Sequence, residues 1–133
     1  MQNLLYALIQ SIHNIGAVVI VGVGAYGLFL APDRYKTTLA VIQSIAWSLQ
    51  GLSGGIFGLT TLYFYHQLPD IHGVALSALM VKIACVILGC CTATSYALWN
   101  EYLSSKVKQL CWILMFSLGS IALSSAAFLR WFS

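Results

Sequence analysis

Lys82 stands inside an apolar run, and that placement constrains the chain more than any other single feature. Residues 74–99 read VALSALMVKIACVILGCCTATSYALW, and apart from thiols and a phenol Lys82 is their only ionisable side chain. A lysine at membrane depth costs a few kcal/mol even on the lenient insertion scale, so it faces a partner, a cavity or water, or else its stem snorkels towards the headgroups. That the run is a membrane segment follows from its setting. Of the 133 residues, 60% are hydrophobic and only 7% are charged, against about a quarter charged in soluble domains.

Three further runs match it in length. Residues 4–30, 37–65 and 109–131, with 74–99, each exceed the about 20 residues that cross a hydrocarbon core. Only helices and closed barrels satisfy their backbone there, and the connectors between these runs are short. The expected fold is all-α: a four-helix, up-down-up-down integral membrane bundle forming one domain over residues 1–133. Almost every residue belongs to a span or a connector, so any chemistry lies between helices or at their ends.

Basic residues set the expected orientation. Arg34 and Lys36 lie in the first connector and Lys106 and Lys108 in the third, whereas the other side holds only Arg130. By the positive-inside rule both termini are non-cytoplasmic, and the expected location is a bacterial inner membrane. The net charge of +3 is scattered, with no basic run of the kind that binds nucleic acid.

Helical spacing assigns inward faces. These are Tyr6, Gln10, His13, Gly16, Ile20, Gly24 and Gly27 on the first helix; Gln43, Trp47, Gln50, Gly54, Phe57, Thr61 and Tyr65 on the second; Ala75, Ala78, Lys82, Cys85, Gly89, Ala93 and Tyr96 on the third; and Ser117, Ser120 and Ser124 on the fourth. GLSGGIFG supplies two GxxxG spacings, Gly51 with Gly55 and Gly54 with Gly58, read as helix-packing glue. The first and third helices start on one side, which puts His13 and Lys82 in one layer, each about 12 to 14 Å deep.

Chemistry then rests on few residues. His13 is a candidate axial haem or metal ligand, with Gln10 beside it on the same face, and Lys82 a candidate partner for an anionic group such as a haem propionate. His66 and His72 flank the HQLPDIHG connector with Asp70 between them and form a second candidate metal site. Cys85, Cys90, Cys91 and Cys111 form no CxxC pair and read as structural thiols. GxSxG, HExxH and P-loop patterns are absent, so hydrolase and phosphoryl-transfer classes have no support.

SIHNIGAVVIVGVGAYG, followed two helices later by LMVKIACVILGCCTATSYALWN, resembles the four-helix CopD-type copper-resistance domain. That family's first-helix histidine and later Val-Lys helix map onto His13, Val81, Lys82, Ile83 and Asn100. A similar His helix and Lys helix occur in the small membrane protoporphyrinogen oxidase family, which binds haem b. The tryptophan and paired glycines expected after the histidine are here Val19, Ile20, Val21 and Gly22, and in place of a histidine downstream of the lysine stand Cys90 and Thr92. The resemblance implies a haem b or copper-type ligand, with His13 coordinating it and Lys82 pairing an anionic group, and the sparse chemistry favours binding over catalysis. The other reading is an accessory subunit, packing lipid and other membrane subunits, or a second copy as a homo-oligomer, in a respiratory, photosynthetic or transport complex.

Overall fold

The computed structural model describes residues 2–66 and 71–132. They form α1 (Gln2–Phe29), α2 (Asp33–Tyr65), α3 (Gly73–Trp99), a 3-10 turn (Asn100–Tyr102) and α4 (Ser105–Phe132), with no strand among them. α1 packs beside α2 and α4, and α3 beside the same two, so α1 and α3 lie on one diagonal of a square bundle. Consecutive helices are antiparallel. The start of α1 meets the end of α2 through Tyr6 Oη and Thr61 Oγ1, 3.3 Å apart, and Asn100 Nδ2 donates to Thr37 Oγ1 at 2.9 Å, tying the end of α3 to the start of α2.

Local chemistry decides the helix ends. α1 closes with the N–H groups of Leu30 and Ala31 both donating to Tyr26 O, and Pro32 then blocks continuation. α2 begins at once, four residues before the apolar run: the Tyr35 N–H donates to Pro32 O at 3.0 Å, and Asp33 in the first turn suits the helix dipole while pairing with Lys36 at 2.9 Å. His66 ends α2 in the left-handed region at φ 54°, its N–H donating to Leu62 O. α4 likewise starts early: the Val107 N–H reaches Ser104 Oγ at 3.5 Å and the Lys108 N–H reaches Ser104 O at 2.9 Å, a serine N-cap.

Three helices are long and apolar enough to span a membrane, over Asn3–Phe29, Gly73–Tyr102 and Ser105–Phe132. The fourth expected span, α2, is long enough but not apolar enough, and the reason lies in its contacts. Its polar groups serve its neighbours: Gln43 Nε2 donates to Ile20 O of α1 at 2.7 Å, and Ser44 Oγ meets Thr94 Oγ1 of α3 at 2.6 Å. Hydrogen bonds between membrane helices average about 0.6 kcal/mol with a maximum near 1.7. Ser44→Ala with Thr94→Val is therefore expected to lower stability by about 1 kcal/mol in a micellar unfolding titration; a double variant as stable as the parent would show that this bond contributes nothing.

The expected inward face of α3 is the buried one: Ala75, Ala78, Cys85, Gly89, Ala93 and Tyr96 are buried, and Lys82 is half-buried on the same stripe. The expected faces of α1 and α2 are also largely inward, with Gly16, Ile20, Gly24 and Gly27 buried on α1 and Gln43, Trp47 and Gln50 on α2; the exceptions are Gln10, Gly54 and the serine stripe of α4. Gln10 is exposed and donates to Asn14 Oδ1 at 2.8 Å, while Ile9 takes the buried position, because an i,i+4 pair satisfies the amide without entering the bundle. On α4 the core is Trp112, Met115, Gly119, Ala122 and Ser125. Half-buried Ser120 and exposed Ser124 instead donate to the carbonyls of Phe116 and Ser120 one turn back, so neither needs a partner on another helix.

Close helix approach occurs away from GLSGGIFG. A Cβ on Gly55 or Gly58 would meet nothing within 4 Å, one on Gly51 would meet only Val86 Cγ1 at 3.1 Å, and one on Gly54 only His13 Cε1 at 3.7 Å. Of these four, Gly55 and Gly58 pack against nothing within the bundle. The tight positions are Gly27, where a Cβ would fall inside the Trp112 ring, Gly89, where it would fall inside the Trp47 ring, Gly16, 2.9 Å from Gln50 Oε1, Gly119, 2.9 Å from Ile20 Cγ2, and Gly24, 3.1 Å from Phe116 Cα. Two large indoles, both buried, fill the core because Gly27 and Gly89 make room for them.

Candidate ligand site at the end where α1 and α3 begin

His13, three turns into α1, meets groups from α2 and α3 at once. Its Nδ1 lies 2.8 Å from Ser53 Oγ, and its Nε2 lies 2.8 Å from Lys82 Nζ and 2.9 Å from Gln50 Nε2. α2 presents both partners because Gln50 and Ser53 are three residues apart on one face, and both are buried. His13 and Lys82, on diagonal helices running in the same direction, are half-buried and in direct contact across the bundle.

The hydrogen positions follow from what each group has to offer. Ser53 donates its hydroxyl hydrogen to Leu49 O at 2.7 Å, so towards the imidazole it accepts. Nδ1 therefore carries the proton and donates to Ser53, which leaves Nε2 with a lone pair facing two donors, the Lys82 amine and the Gln50 amide. A hydrogen bond at one ring nitrogen fixing the role of the other is the arrangement by which proteins orient a ligating histidine. Exposed Gly54 lies at the Cε1 edge of the ring, the side on which no side chain from that position covers it.

The charge balance is as informative as the geometry. Among the described residues the carboxylates are Asp33 and Glu101, both at the opposite end of the bundle, and the one ion pair is Asp33 with Lys36. Lys82 thus faces an imidazole where a carboxylate would neutralise it. The layer can supply one basic nitrogen and one cation to a ligand.

Gln10 does not join this layer, since its amide is turned to Asn14 on the outer surface of α1. Ser53 does, and the sequence signal for it lay inside GLSGG, where the serine was read only as part of a packing run. His66 and His72 are exposed at the end of α2 and the start of α3; Asp70 lies outside the described residues. Among the described residues no group of three or more His, Cys, Asp or Glu comes together to hold a metal ion. The cysteines are free thiols, Cys85 buried and Cys91 exposed.

Compared with family models, with curated proteins and with solved structures, the chain matches none; what the fold itself establishes is a helical bundle with three helices able to cross a membrane.

Proposed function

We propose that this multi-pass protein binds an anionic, metal-centred amphiphile of the haem type in the layer of His13, Lys82, Gln50 and Ser53, without catalysing a reaction on it. The observation that carries this reading is the His13 ring, with Nδ1 spent on Ser53 and Nε2 beside a lysine that pairs with no carboxylate among the described residues. His13 Nε2 would hold the metal, giving up its hydrogen bonds from Lys82 and Gln50, and Lys82 would pair instead with a carboxylate of the ligand. When bound, haem supplies redox and ligand-binding chemistry; the protein orients the imidazole and balances the charge.

The same geometry weighs against a bare copper ion. A metal cation at Nε2 would stand within a few ångströms of the Lys82 ammonium, and two like charges 4 Å apart repel by about 4 kcal/mol at an effective dielectric of 20. A haem brings its own carboxylates, so the lysine becomes favourable. On this reading the layer opens to the non-cytoplasmic side, because the Arg34, Lys36, Lys106 and Lys108 connectors sit together at the opposite end.

A second reading, as an accessory subunit, draws on α2. This least apolar of the helices exposes Gly51, Gly54 and Gly55, and the last meets nothing in its own chain, a surface on which another helix backbone would approach closely. One experiment separates the two. The visible spectrum and metal content of gently extracted protein are expected to give a Soret band with stoichiometric iron, abolished in His13→Ala and diminished in Lys82→Met. Colourless, metal-free protein arriving with stoichiometric partner chains would overturn haem binding and leave the subunit reading.

A further inference from the structure

Four buried side-chain atoms among the described residues have no hydrogen-bond partner in the protein: Gln43 Oε1, Trp47 Nε1 and Trp112 Nε1 in the core, and Gln50 Oε1 in the His13 layer. We propose that the core of the bundle binds water, hydrogen-bonded to Gln43 Oε1 and to the indole N–H groups of Trp47 and Trp112, and that this hydrated strip continues the polar layer towards the opposite end.

The four atoms are two acceptors and two donors. Gln43, Trp47 and Gln50 recur at spacings of four and three on a single stripe of α2, so they run about 10 Å along the axis, and Gln50 Nε2 at the end of that run already belongs to the His13 layer. Trp112 extends the set. Its six-membered ring lies against Gly27, which turns the pyrrole N–H side away from α1, and one turn further along, a Cβ on Gly24 would stand 3.2 Å from Gln43 Nε2 and 3.1 Å from Phe116 Cα. Gln43 and Trp112 thus border the same region of the core. Trp47 lies on Gly89 of α3 through the ring carbon that bears its nitrogen.

Chemistry selects water. Gln43 and Trp47 have no solvent exposure and Trp112 has 1%, so membrane-face or bulk partners do not reach them. A buried indole N–H normally finds an acceptor, and buried polar groups without a protein partner are the usual sites of internal water, which needs two to four polar neighbours. Water accepts from an indole and donates to the glutamine oxygen, which matches the set atom for atom. Nothing in this arrangement depends on a ligand at His13.

Trp99 and Trp131 are exposed, at 54% and 85%, so Trp99→Phe with Trp131→Phe leaves the two core indoles as the only ones without touching the core. In that protein, ultraviolet resonance Raman is expected to place both indole N–H groups in the hydrogen-bonded band, and their exchange into D2O is expected to proceed in the folded state. Gln43→Leu, added to it, is expected to shift at least one indole to the unbonded band. Unbonded indoles that exchange only on global unfolding would overturn the proposal, as would indole bands that Gln43→Leu leaves unchanged.

Discussion

Gly27→Ala is expected to destabilise the bundle by about 3 kcal/mol, the upper end of the range for overpacking a well-packed core. The added methyl would fall inside the Trp112 ring. That ring is buried and stands edge-on to Tyr96, centroids 5.6 Å apart at 71°, so it cannot turn aside without displacing a second large aromatic. The remaining escape is separation of α1 from α4, which would forfeit dispersion contacts along the whole seam. Gly55→Ala is the matched control, because its Cβ would meet nothing within 4 Å, and its expected effect is neutral or a gain of up to about 1 kcal/mol from helix propensity. Reversible unfolding in mixed micelles measures both. Equal stabilities for the two variants would contradict the close approach of α1 and α4; Trp112→Leu added to Gly27→Ala is expected to recover part of the loss.

His13→Leu is the second large effect, with an expected loss of about 3 kcal/mol. It strips the half-buried Lys82 amine and the Gln50 amide of their shared acceptor and Ser53 of its donor. Removing one partner from a buried charged interaction costs about 3 to 5 kcal/mol, mostly because the other is stranded. Lys82→Met removes the charge itself and leaves Nε2 with the Gln50 donor, so its cost is expected to be about 1 kcal/mol or less. The double variant is then expected to be more stable than the sum of the single losses predicts, with a coupling of about 1 to 2 kcal/mol. Additivity within about 0.5 kcal/mol would mean that the 2.8 Å contact contributes no stability.

Some of this was legible in residue order. The apolar runs and the small-residue stripe of α3 are one-dimensional patterns, and each maps directly onto a helix and its inner face. Counting residues from the helix starts placed His13 and Lys82 in one layer, and the fold brings them into contact. The helix starts were less legible, because Asp33 in the first turn of α2 and the Ser104 cap of α4 begin those helices outside the apolar runs, through contacts that hydropathy does not register.

Polar residues were the least legible, because a polar side chain has two ways to be satisfied. Gln10 and Ser124 are satisfied within their own helix and lie exposed, whereas Gln43, Gln50 and Ser53 look alike in sequence and each makes a hydrogen bond to another helix from a buried position. Small residues carry the same ambiguity: the two overlapping GxxxG spacings on α2 leave Gly55 and Gly58 without contacts, and lone glycines at positions 27 and 89 admit the two core indoles. A glycine's value depends on what stands opposite, which residue order does not state.

The sequence by itself determined an all-helical bundle built on apolar runs and the shared depth of its one intramembrane lysine and first histidine. Periodicity and helix rise are local properties, and they suffice for both. The tertiary structure decided that Gln43 and Ser44 of α2 bond to α1 and α3, that Ser53 and Gln50 complete the imidazole's hydrogen bonds, and that the aromatic core rests on Gly27 and Gly89. Those outcomes depend on which side chains of three different helices meet at one depth, and only packing sets that register.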